Sequence, residues 1–405
     1  MKLGLKAKNL TIVSVLLLVV LGAYTFGAPS FATVSSADSH STGVLPFTHV
    51  FYIMMENQGV SNIVGSSNAP YINQLINTYG YDNNYYGVTH TSLPNYVAAI
   101  SGNNWASFND DPTQMFNHTN IVDQLVAHHI SWKAYMESMP SVGFTGYWYP
   151  DNLPSGTSPS TTPSNALYAK KHNPFMLFND IAGNPARTSN VVPLTQLTID
   201  LNTNNVPQFV WITPNVCNDM HGQPSGEGAT CPYSDTTGLI QDGNNFLQQW
   251  VTAIMSSKAW TGNSVIFINW DEAEYPSSSA TPQQIAAFTA AGPDAPVAPA
   301  SAFTSIGLPA PSSGAGVMGG GNVPLIVISR LSPQHVVLNT WADHYSILRT
   351  IEASWNLGYL GMASDGAQVQ TLSGFFQQGR YNGFGFGLSL ASADAAYLEL
   401  ARLKA

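Results

Sequence analysis

Four apolar runs constrain the fold of this chain more than any other feature of its sequence. They cover Val50–Met55, Phe209–Thr213, Val265–Trp270 and Leu325–Ser329. Uninterrupted apolar runs of this length are typical of parallel strands that are buried on both faces. Stretches with helical apolar spacing lie between them, for example over 246–255. Strands that alternate with helices predict an α/β fold, here a doubly wound, mostly parallel sheet with helices on both faces and long loop insertions.

The N-terminus has the pattern of an export signal. Lysines at 2, 6 and 8 precede an uncharged apolar stretch, and the small residues Ser30 and Ala32 occupy the positions that a signal peptidase requires before its cut. We therefore predict a signal peptide over 1–32, a secreted mature chain and a single domain over 33–405. An uncleaved N-terminal membrane anchor is the alternative. No other stretch of the sequence is apolar and long enough to cross a bilayer.

Two segments interrupt the alternation of strands and helices, and an extension follows it. Residues 141–164 are rich in Pro, Ser, Thr, Gly and aromatics, and we expect them to cover a site. Residues 276–321 are rich in Pro, Ala, Ser and Gly, with Asp294 as the only charged residue. This composition predicts a long surface insertion that contributes little to a core. Residues 370–405 form a C-terminal extension.

The charge balance excludes one class of partner. Lys and Arg number 13 against 23 Asp and Glu, and the net charge is −10, so the chain has no basic face with which to bind nucleic acid. Apolar residues make up 44% of the chain, which is enough for a large core and excludes general disorder. Charged residues make up only 9%. A surface with so few ion pairs suits an extracytoplasmic protein, including one in an acidic medium, where carboxylate ion pairs fail.

Acidic and polar residues follow three of the four predicted strands. They are Glu56 and Asn57 after the first, Asp219 and His221 after the second, and Asp271 and Glu272 after the third. The carboxyl ends of parallel strands share one edge of a sheet, where α/β proteins bind their ligands. Carboxylates this close repel one another unless a cation or a proton lies among them, so the pattern predicts a divalent metal site. The alternative for each residue is a helix cap or a loop hydrogen bond.

A serine stands at the predicted start of a helix. Ser92 is followed by Pro94 and Asn95 and then by an apolar helical stretch. Proline is tolerated in the first turn of a helix, where its missing N–H costs nothing. The free N–H groups and the positive end of the helix dipole favour an anion beside Ser92. The alternative is that Ser92 only caps the helix.

The chain has two cysteines, Cys217 and Cys231. In an oxidising compartment we expect them to form a disulfide that closes the segment between them. Neither belongs to a Cys-x-x-Cys unit, so the pair does not predict a zinc site.

Six short motifs occur in a recognisable order. They are Met-Glu-Asn-Gln at 55–58, His-Thr-Ser-Leu-Pro-Asn-Tyr at 90–96, Lys-His-Asn-Pro-Phe at 171–175, Asn-Asp-Met-His at 218–221, Trp-Asp-Glu at 270–272 and Asp-His-Tyr-Ser-Ile-Leu-Arg-Thr-Ile-Glu at 343–352. In these motifs the chain resembles the bacterial phosphoesterase family of secreted acid phosphatases and phospholipases C, within the alkaline-phosphatase-like superfamily. It departs from the usual family pattern at 59–62 and at Ala273.

The resemblance implies a secreted, metal-dependent hydrolase of phosphate esters, with 33–405 as its catalytic domain. It implies that Ser92 is the nucleophile and forms a phosphoserine intermediate. The implied ligands of one or two divalent ions are Glu56, Asn57, Ser92, Asp271 and Glu272, with Asp219, His221 and His344 as further candidates. Asn95, His172 and Asp219 are expected to contact the substrate. Asn95 is also expected to assist catalysis, and His221 or His344 to protonate the leaving group.

Three functions fit this set of residues. An acid phosphatase that acts on small phosphate esters is the leading interpretation. A phospholipase C would use the same centre but would need an apolar entrance for acyl chains, which the aromatic residues of 144–149 could supply. A catalytically inactive homologue that binds a surface is the third, and the intact set of catalytic and metal-binding residue types argues against it.

Overall fold

The chain forms a mixed sheet of eight strands. The computed structural model describes residues 43–203, 205–275, 281–332 and 334–376, and the predicted signal peptide lies outside this part of the chain. From one edge to the other, the sheet contains β13 (Val337–Leu338), β2 (Gly80–Asp82), β12 (Leu325–Ser329), β9 (Val265–Trp270), β1 (Val50–Met55), β8 (Phe209–Thr213), β4 (Trp132–Met136) and β7 (Val191–Pro193). Three two-stranded sheets pair β3 (Tyr85–Tyr86) with β14 (Ala342–Asp343), β5 (Trp148–Tyr149) with β6 (Tyr168–Ala169), and β10 (Val297–Pro299) with β11 (Ala315–Val317).

All four predicted strands are present, but the prediction that all four are parallel is wrong for one of them. β1 runs parallel to β8 and β9, whereas β12 runs antiparallel to β9 and to β2. The chain leaves β9 at the carboxyl edge of the sheet, passes through the insertion and enters β12 from that same edge, so β12 must run the opposite way. An apolar run indicates burial on both faces but carries no information on strand direction.

Helices cover the sheet. The α-helices are α1 (Val60–Ile63), α2 (Pro70–Thr78), α3 (Ser92–Ser101), α4 (Ile121–Ala127), α5 (Asn179–Ala182), α6 (Pro185–Thr188), α7 (Thr195–Asn202), α8 (Thr236–Met255), α9 (Pro282–Phe288), α10 (Ala300–Ser305) and α11 (His344–Trp355). Every residue of β1, β8, β9 and β12 is buried. α2 packs against α8, and α3 packs against α11. The doubly wound α/β class is therefore confirmed.

The Pro- and Ala-rich insertion is structured over its described part. α9, β10, α10 and β11 enclose a small apolar cluster that includes Phe288, Phe303 and Met318. The expectation that this segment contributes little to a core is therefore wrong. Composition predicts how much apolar area a segment carries, but here a few large residues are concentrated at one place. The backbone carbonyl of Phe288 also contacts His90, two residues before Ser92.

The structure also bears on the expected disulfide and on the C-terminal extension. Cys217 and Cys231 form a disulfide, as predicted, and their Cα atoms lie 5.5 Å apart. The C-terminal extension begins within the core, because Phe375 and Phe376 are buried. Its remainder, 377–405, lies outside the described residues. Among the described residues, no helix has the length and apolar character needed to span a membrane.

Candidate active site

Ser92 is the first residue of α3, and it is completely buried. Its Oγ lies 2.9 Å from Oε2 of Glu56 and 3.1 Å from Oε1 of Glu272. A hydroxyl carries one proton, so it can donate to only one of these carboxylates at a time. Thr91 occupies the N-cap position and makes no side-chain capping bond. The Ser92 hydroxyl is thus directed at carboxylates rather than at the helix backbone.

The carboxylates around Ser92 come from two neighbouring strands. Glu56 follows β1, and Asp271 and Glu272 follow β9. Asn57 adopts the left-handed conformation with φ 47°, which asparagine tolerates better than most residues. Its backbone N–H donates to Oδ1 of Asp271 at 3.1 Å. The turn after β1 is therefore fixed to the end of β9, and the predicted ligand residues meet at one place.

The electrostatics of this cluster call for a compensating positive charge. Burial raises the pKa values of Glu56, Asp271, Glu272 and Asp219 well above those of free carboxyl groups. Neighbouring carboxylates raise them further, for example Asp271 acting on Glu56. Carboxyl groups in this setting retain protons unless a cation replaces them.

Several ligand-type atoms in the cluster fit a divalent metal ion. Oε1 of Glu56, Oδ1 of Asn57 and Oδ2 of Asp271 are buried and accept no hydrogen bond from the described residues, although Nε2 of His172 lies 3.2 Å from Oε1 of Glu56. Buried polar atoms rarely lack partners. All three are hard oxygen donors of the kind that Mg²⁺ and Ca²⁺ prefer and that other divalent ions accept. The residues present therefore fit a divalent cation.

Two histidines lie on the other side of Glu56. Nδ1 of His172 lies 3.1 Å from Oδ2 of Asp219, and Nε2 of His172 lies 3.2 Å from Oε1 of Glu56. Oδ1 of Asp219 accepts from the backbone N–H of His221 at 2.7 Å. Met220, between Asp219 and His221, has φ 86°. Asp219 thus fixes both histidines beside the cluster, and ligand atoms of Glu56, His172 and His221 all lie within 4.8 Å of one another.

The Asn95 side chain bonds to the backbone around it and does not line the cavity. Oδ1 of Asn95 accepts from the backbone N–H groups of Val88 and Thr89, and its Nδ2 donates to the carbonyls of Thr89 and Thr91. Asn95 therefore holds the loop before Ser92 and has no atom left for a phosphate oxygen.

His344 is likewise occupied at both ring nitrogens. Nε2 donates to the backbone carbonyl of Asp271 at 2.7 Å, and Nδ1 accepts from the hydroxyl of Tyr85 at 2.7 Å. The ring is neutral at ordinary pH, because burial lowers its pKa to about 4. It supports the turn that carries Asp271 and has no lone pair available for a metal or a leaving group.

Sequence reasoning assigned no role to Asp110, Lys171 or His90. Nζ of Lys171 donates to Oδ2 of Asp110 at 2.7 Å and to Nε2 of His221 at 3.1 Å. Oδ1 of Asp110 accepts from the backbone N–H of Leu93 at 3.0 Å, so one of the N–H groups expected to meet an anion is already in use. His90 contacts the Glu272 carboxyl group. Lys171 and His90 belong to two of the six sequence motifs. Asp110 lies in none of them, and nothing in the sequence around it indicates a function.

These groups surround a cavity of about 630 Å³. Most of its wall is polar. Residues that line it are Asn57, Gln58, Asn62, Ser92, Asp110, Trp148, Ser160, Thr162, Lys171, Met220, His221, Tyr233, Thr236, Leu239, Glu272, Glu274 and Tyr275. The cavity brings the Ser92 hydroxyl, three other predicted metal ligands (Asn57, His221 and Glu272) and a lysine ammonium to a space large enough for a small ester.

The fold and this site define an α/β protein in which a buried serine lies among residues that fit a divalent cation. Residues 64–358 match the Phosphoesterase family, and the chain belongs to that family. Glu56 and Asn57 precede the matched segment and were placed in the site by the structure.

Similar proteins include fungal phosphatases. The chain is 26% identical to the phosphate-repressible acid phosphatase of Penicillium chrysogenum over 71% of its own length and 54% of that protein. It is also 26% identical to the probable acid phosphatase of Kluyveromyces lactis, over 86% of this chain and 70% of the relative. The chain thus spans about half the length of the Penicillium protein. A solved alkaline phosphatase superfamily protein from Vibrio parahaemolyticus aligns over 77% of this chain and 68% of its own, with a TM-score of 0.45 and 10% identity.

Proposed function

We propose that this protein is an exported phosphatase that hydrolyses small phosphate monoesters through attack by Ser92. The observation that carries the proposal is the position of the Ser92 hydroxyl, 2.9 Å and 3.1 Å from two buried carboxylates at the floor of a polar cavity. A serine that only stabilised its helix would bond to the backbone. The phosphatases among the relatives support the same reaction.

The first step forms a bond between Oγ of Ser92 and phosphorus. The proton of the hydroxyl passes to the carboxylate of Glu56 or Glu272, the two acceptors within its reach. The bond from phosphorus to the ester oxygen breaks, and the leaving alcohol takes up the proton that the carboxylate received. Water then attacks the phosphoserine. Its hydroxyl joins phosphorus, phosphate leaves, and the remaining proton of the water passes through the carboxylate to Oγ. Nucleophile and base are within hydrogen-bond distance before the substrate arrives.

A divalent metal belongs to this proposal. Glu56, Asn57, Asp271 and Glu272 would hold it beside Ser92. Glu56 and Glu272 both contact the Ser92 hydroxyl, and Asn57 and Asp271 carry buried oxygens without a hydrogen-bond partner among the described residues. When bound, such an ion supplies Lewis-acid chemistry, because it lowers the pKa of a hydroxyl and neutralises charge on a phosphoryl oxygen. His344 would act as a positioning residue for Asp271, and Asn95 as one for the loop before Ser92. Of the two histidines predicted to protonate the leaving group, His221 lines the cavity. Its Nδ1 faces the carbonyl of Gly222 and its Nε2 faces the ammonium of Lys171, so neither ring nitrogen has a proton free for the leaving group.

The structure gives little support to an entrance for acyl chains. Within 144–149, Trp148 is the residue that lines the described cavity. The Phe144 ring packs against the rings of Tyr149 and Tyr168, with centroids 6.1 Å and 5.6 Å apart. Phe144 therefore packs within this part of the chain and does not line the cavity. A soluble monoester is therefore the substrate class that we propose.

Export is part of the proposal as well. The disulfide between Cys217 and Cys231 is typical of proteins that mature in an oxidising compartment. Mass spectrometry of the protein recovered from the medium and from the membrane fraction tests the cleavage after Ala32, since membrane-bound protein with an intact N-terminus would indicate the anchored alternative.

The proposed reaction is tested with a chromogenic phosphomonoester and the Ser92→Ala variant. Ser101→Ala is the matched control, because Ser101 is a buried serine at the other end of the same helix. We expect Ser92→Ala to lower kcat by at least about a thousandfold without loss of metal, and Ser101→Ala to keep a kcat near that of the wild type. Asp271→Asn should lower metal content and kcat together. Removal of metal with a chelator should abolish turnover, and adding the ion back should restore it.

Three outcomes would contradict this proposal. A Ser92→Ala protein that keeps more than about a tenth of the wild-type kcat, a difference of about 1.4 kcal/mol, would show that Ser92 is not the nucleophile. Faster cleavage of phospholipid vesicles than of soluble monoesters would favour the phospholipase. Wild-type protein with bound metal and no turnover of either substrate would favour the inactive homologue.

A further inference from the structure

Lys171 is a cation in an unusual position. Its side chain is 4% exposed, yet it lines the cavity that contains Ser92. An ammonium has three N–H donors. Asp110 and His221 accept two of them, and the third has no protein partner among the described residues. A lysine ammonium is rarely buried unless its charge is paired and its N–H groups are hydrogen-bonded.

The ammonium lies against a cluster that would otherwise suit a metal ion. One ligand atom each from Glu56, His172 and His221 lies within 4.8 Å of the others. Nδ1 of His221 faces the carbonyl of Gly222 at 2.8 Å and must donate to it, so Nε2 carries the lone pair. That lone pair accepts the N–H of Lys171 at 3.1 Å. A metal ion would need the lone pair that Lys171 already uses.

We infer that Lys171 is the second cation of a one-ion centre and that its free N–H binds a non-bridging oxygen of the substrate's phosphate dianion. The inference deepens the proposed function and rests on it, since phosphate is the group to be bound. A phosphate monoester carries two negative charges near neutral pH. The two negative charges of the phosphate would be compensated by one divalent ion beside Ser92 and by the Lys171 ammonium, which lies next to His221.

The charges around the cavity make this cation necessary. Carboxylates of Asp110, Glu272 and Glu274 line the cavity, and Lys171 is the only Lys or Arg among the described lining residues. A dianion that entered without Lys171 would meet carboxylates on several sides. Charge-assisted hydrogen bonds are about twice as strong as neutral ones, and more so where water is excluded.

Asp110 connects the cation to the nucleophile. Its Oδ2 accepts from Lys171 and its Oδ1 from the backbone N–H of Leu93, the residue after Ser92. One carboxylate therefore fixes the ammonium relative to the first turn of α3. Asp110 is a positioning residue in this scheme. Because it accepts the backbone N–H of Leu93, that helix N–H is not available to the substrate.

Lys171→Met tests the inference, because methionine retains an unbranched apolar chain and removes the charge. Lys170→Met is the matched control. Lys170 is the adjacent residue and is also buried, but its ammonium lies near Sδ of Met115 and over the ring of Tyr147 rather than in the cavity. Removing Lys171 alone leaves the partly exposed Asp110 carboxylate without its cation, although its bond from the Leu93 N–H remains. The double variant Lys171→Met, Asp110→Asn removes both charges and is measured alongside.

The readouts are metal content per chain by mass spectrometry, direct binding of inorganic phosphate by calorimetry, and the inhibition constant of phosphate against the chromogenic ester. We expect one ion per chain in the wild type and no loss of it in Lys171→Met. Phosphate binding should weaken by about 10- to 100-fold in Lys171→Met and in the double variant. It should be unchanged in Lys170→Met.

Different results would overturn the inference about Lys171 and the proposed function. Normal phosphate binding in a folded Lys171→Met or double variant overturns the inference while wild-type turnover still stands. Two ions per chain in the wild type, one of which is lost in His221→Ala, also overturns it. A wild type without turnover whose phosphate binding depends on Lys171 supports the inference and contradicts the proposed function.

Discussion

The Asn95→Ala variant tests whether Asn95 binds the substrate or stabilises the fold. The Asn95 side chain is completely buried and makes four hydrogen bonds of 2.7–3.1 Å to the backbone of the loop before Ser92. Each bond contributes about 1 kcal/mol to stability, and a buried backbone group left without a partner costs about 1–3 kcal/mol. The loop can relax to recover part of this loss. We therefore expect Asn95→Ala to lower the free energy of unfolding by about 3–5 kcal/mol.

The assay is urea unfolding followed by tryptophan fluorescence, with kinetics measured on the folded fraction. Asn104→Ala is the control, because Asn104 is also buried but its side chain donates a single bond, to the carbonyl of Ser107 at 3.0 Å. Its expected cost is about 1 kcal/mol. The reasoning is refuted if Asn95→Ala changes the free energy of unfolding by less than about 1 kcal/mol while the inhibition constant of phosphate rises tenfold or more. Asn95 would then contact the substrate.

Two further predictions concern stability rather than catalysis. Burial raises the pKa of Glu352 from 4.5 to about 8, so the unfolded chain loses this proton first as the pH rises, and stability should fall between those two values. Glu352→Gln should remove that part of the pH dependence and raise the melting temperature at pH 8, and an unchanged pH profile of thermal unfolding would contradict the assignment. Replacement of Cys217 and Cys231 by serine should lower the free energy of unfolding by about 3 kcal/mol, because the disulfide closes a segment with a sequence separation of 14. Two reactive thiols in denatured, unreduced wild-type protein would contradict this.

The central strands could be predicted from sequence because their signal is local. β1, β8, β9 and β12 are uninterrupted apolar runs, and burial on both faces requires such runs. β4 was missed, because Lys133 interrupts its apolar pattern. The structure shows why a lysine is tolerated there: Lys133 is half-buried and pairs with Asp200 at 2.7 Å. A partner 67 positions away leaves no mark on the local pattern.

The site was predictable where it depends on strand ends and not where it depends on side-chain partners. Glu56, Asp271 and Glu272 follow strands directly, and the sheet itself brings them together. Asn95 and His344 stand beside the right residues in sequence, but each is used by its neighbours' backbone. Nothing in the sequence distinguishes an amide that holds a loop from one that holds a phosphate. That difference is set by which groups tertiary packing brings within 3 Å.

The same charges that suit this site to a metal ion act against its folding. Glu56, Asp271 and Glu272 are buried together, and each has its pKa raised. Without a cation the protein must either keep protons on these groups or bear their repulsion. Lys171 compensates only part of the charge, because Asp110 already pairs with it. An ion that binds to the folded cluster and not to the unfolded chain therefore displaces protons and stabilises the fold in one event. The affinity of the proposed metal site would therefore originate in the repulsion among its buried carboxylates. Without a metal ion, protons relieve this repulsion, and they are most available in an acidic medium.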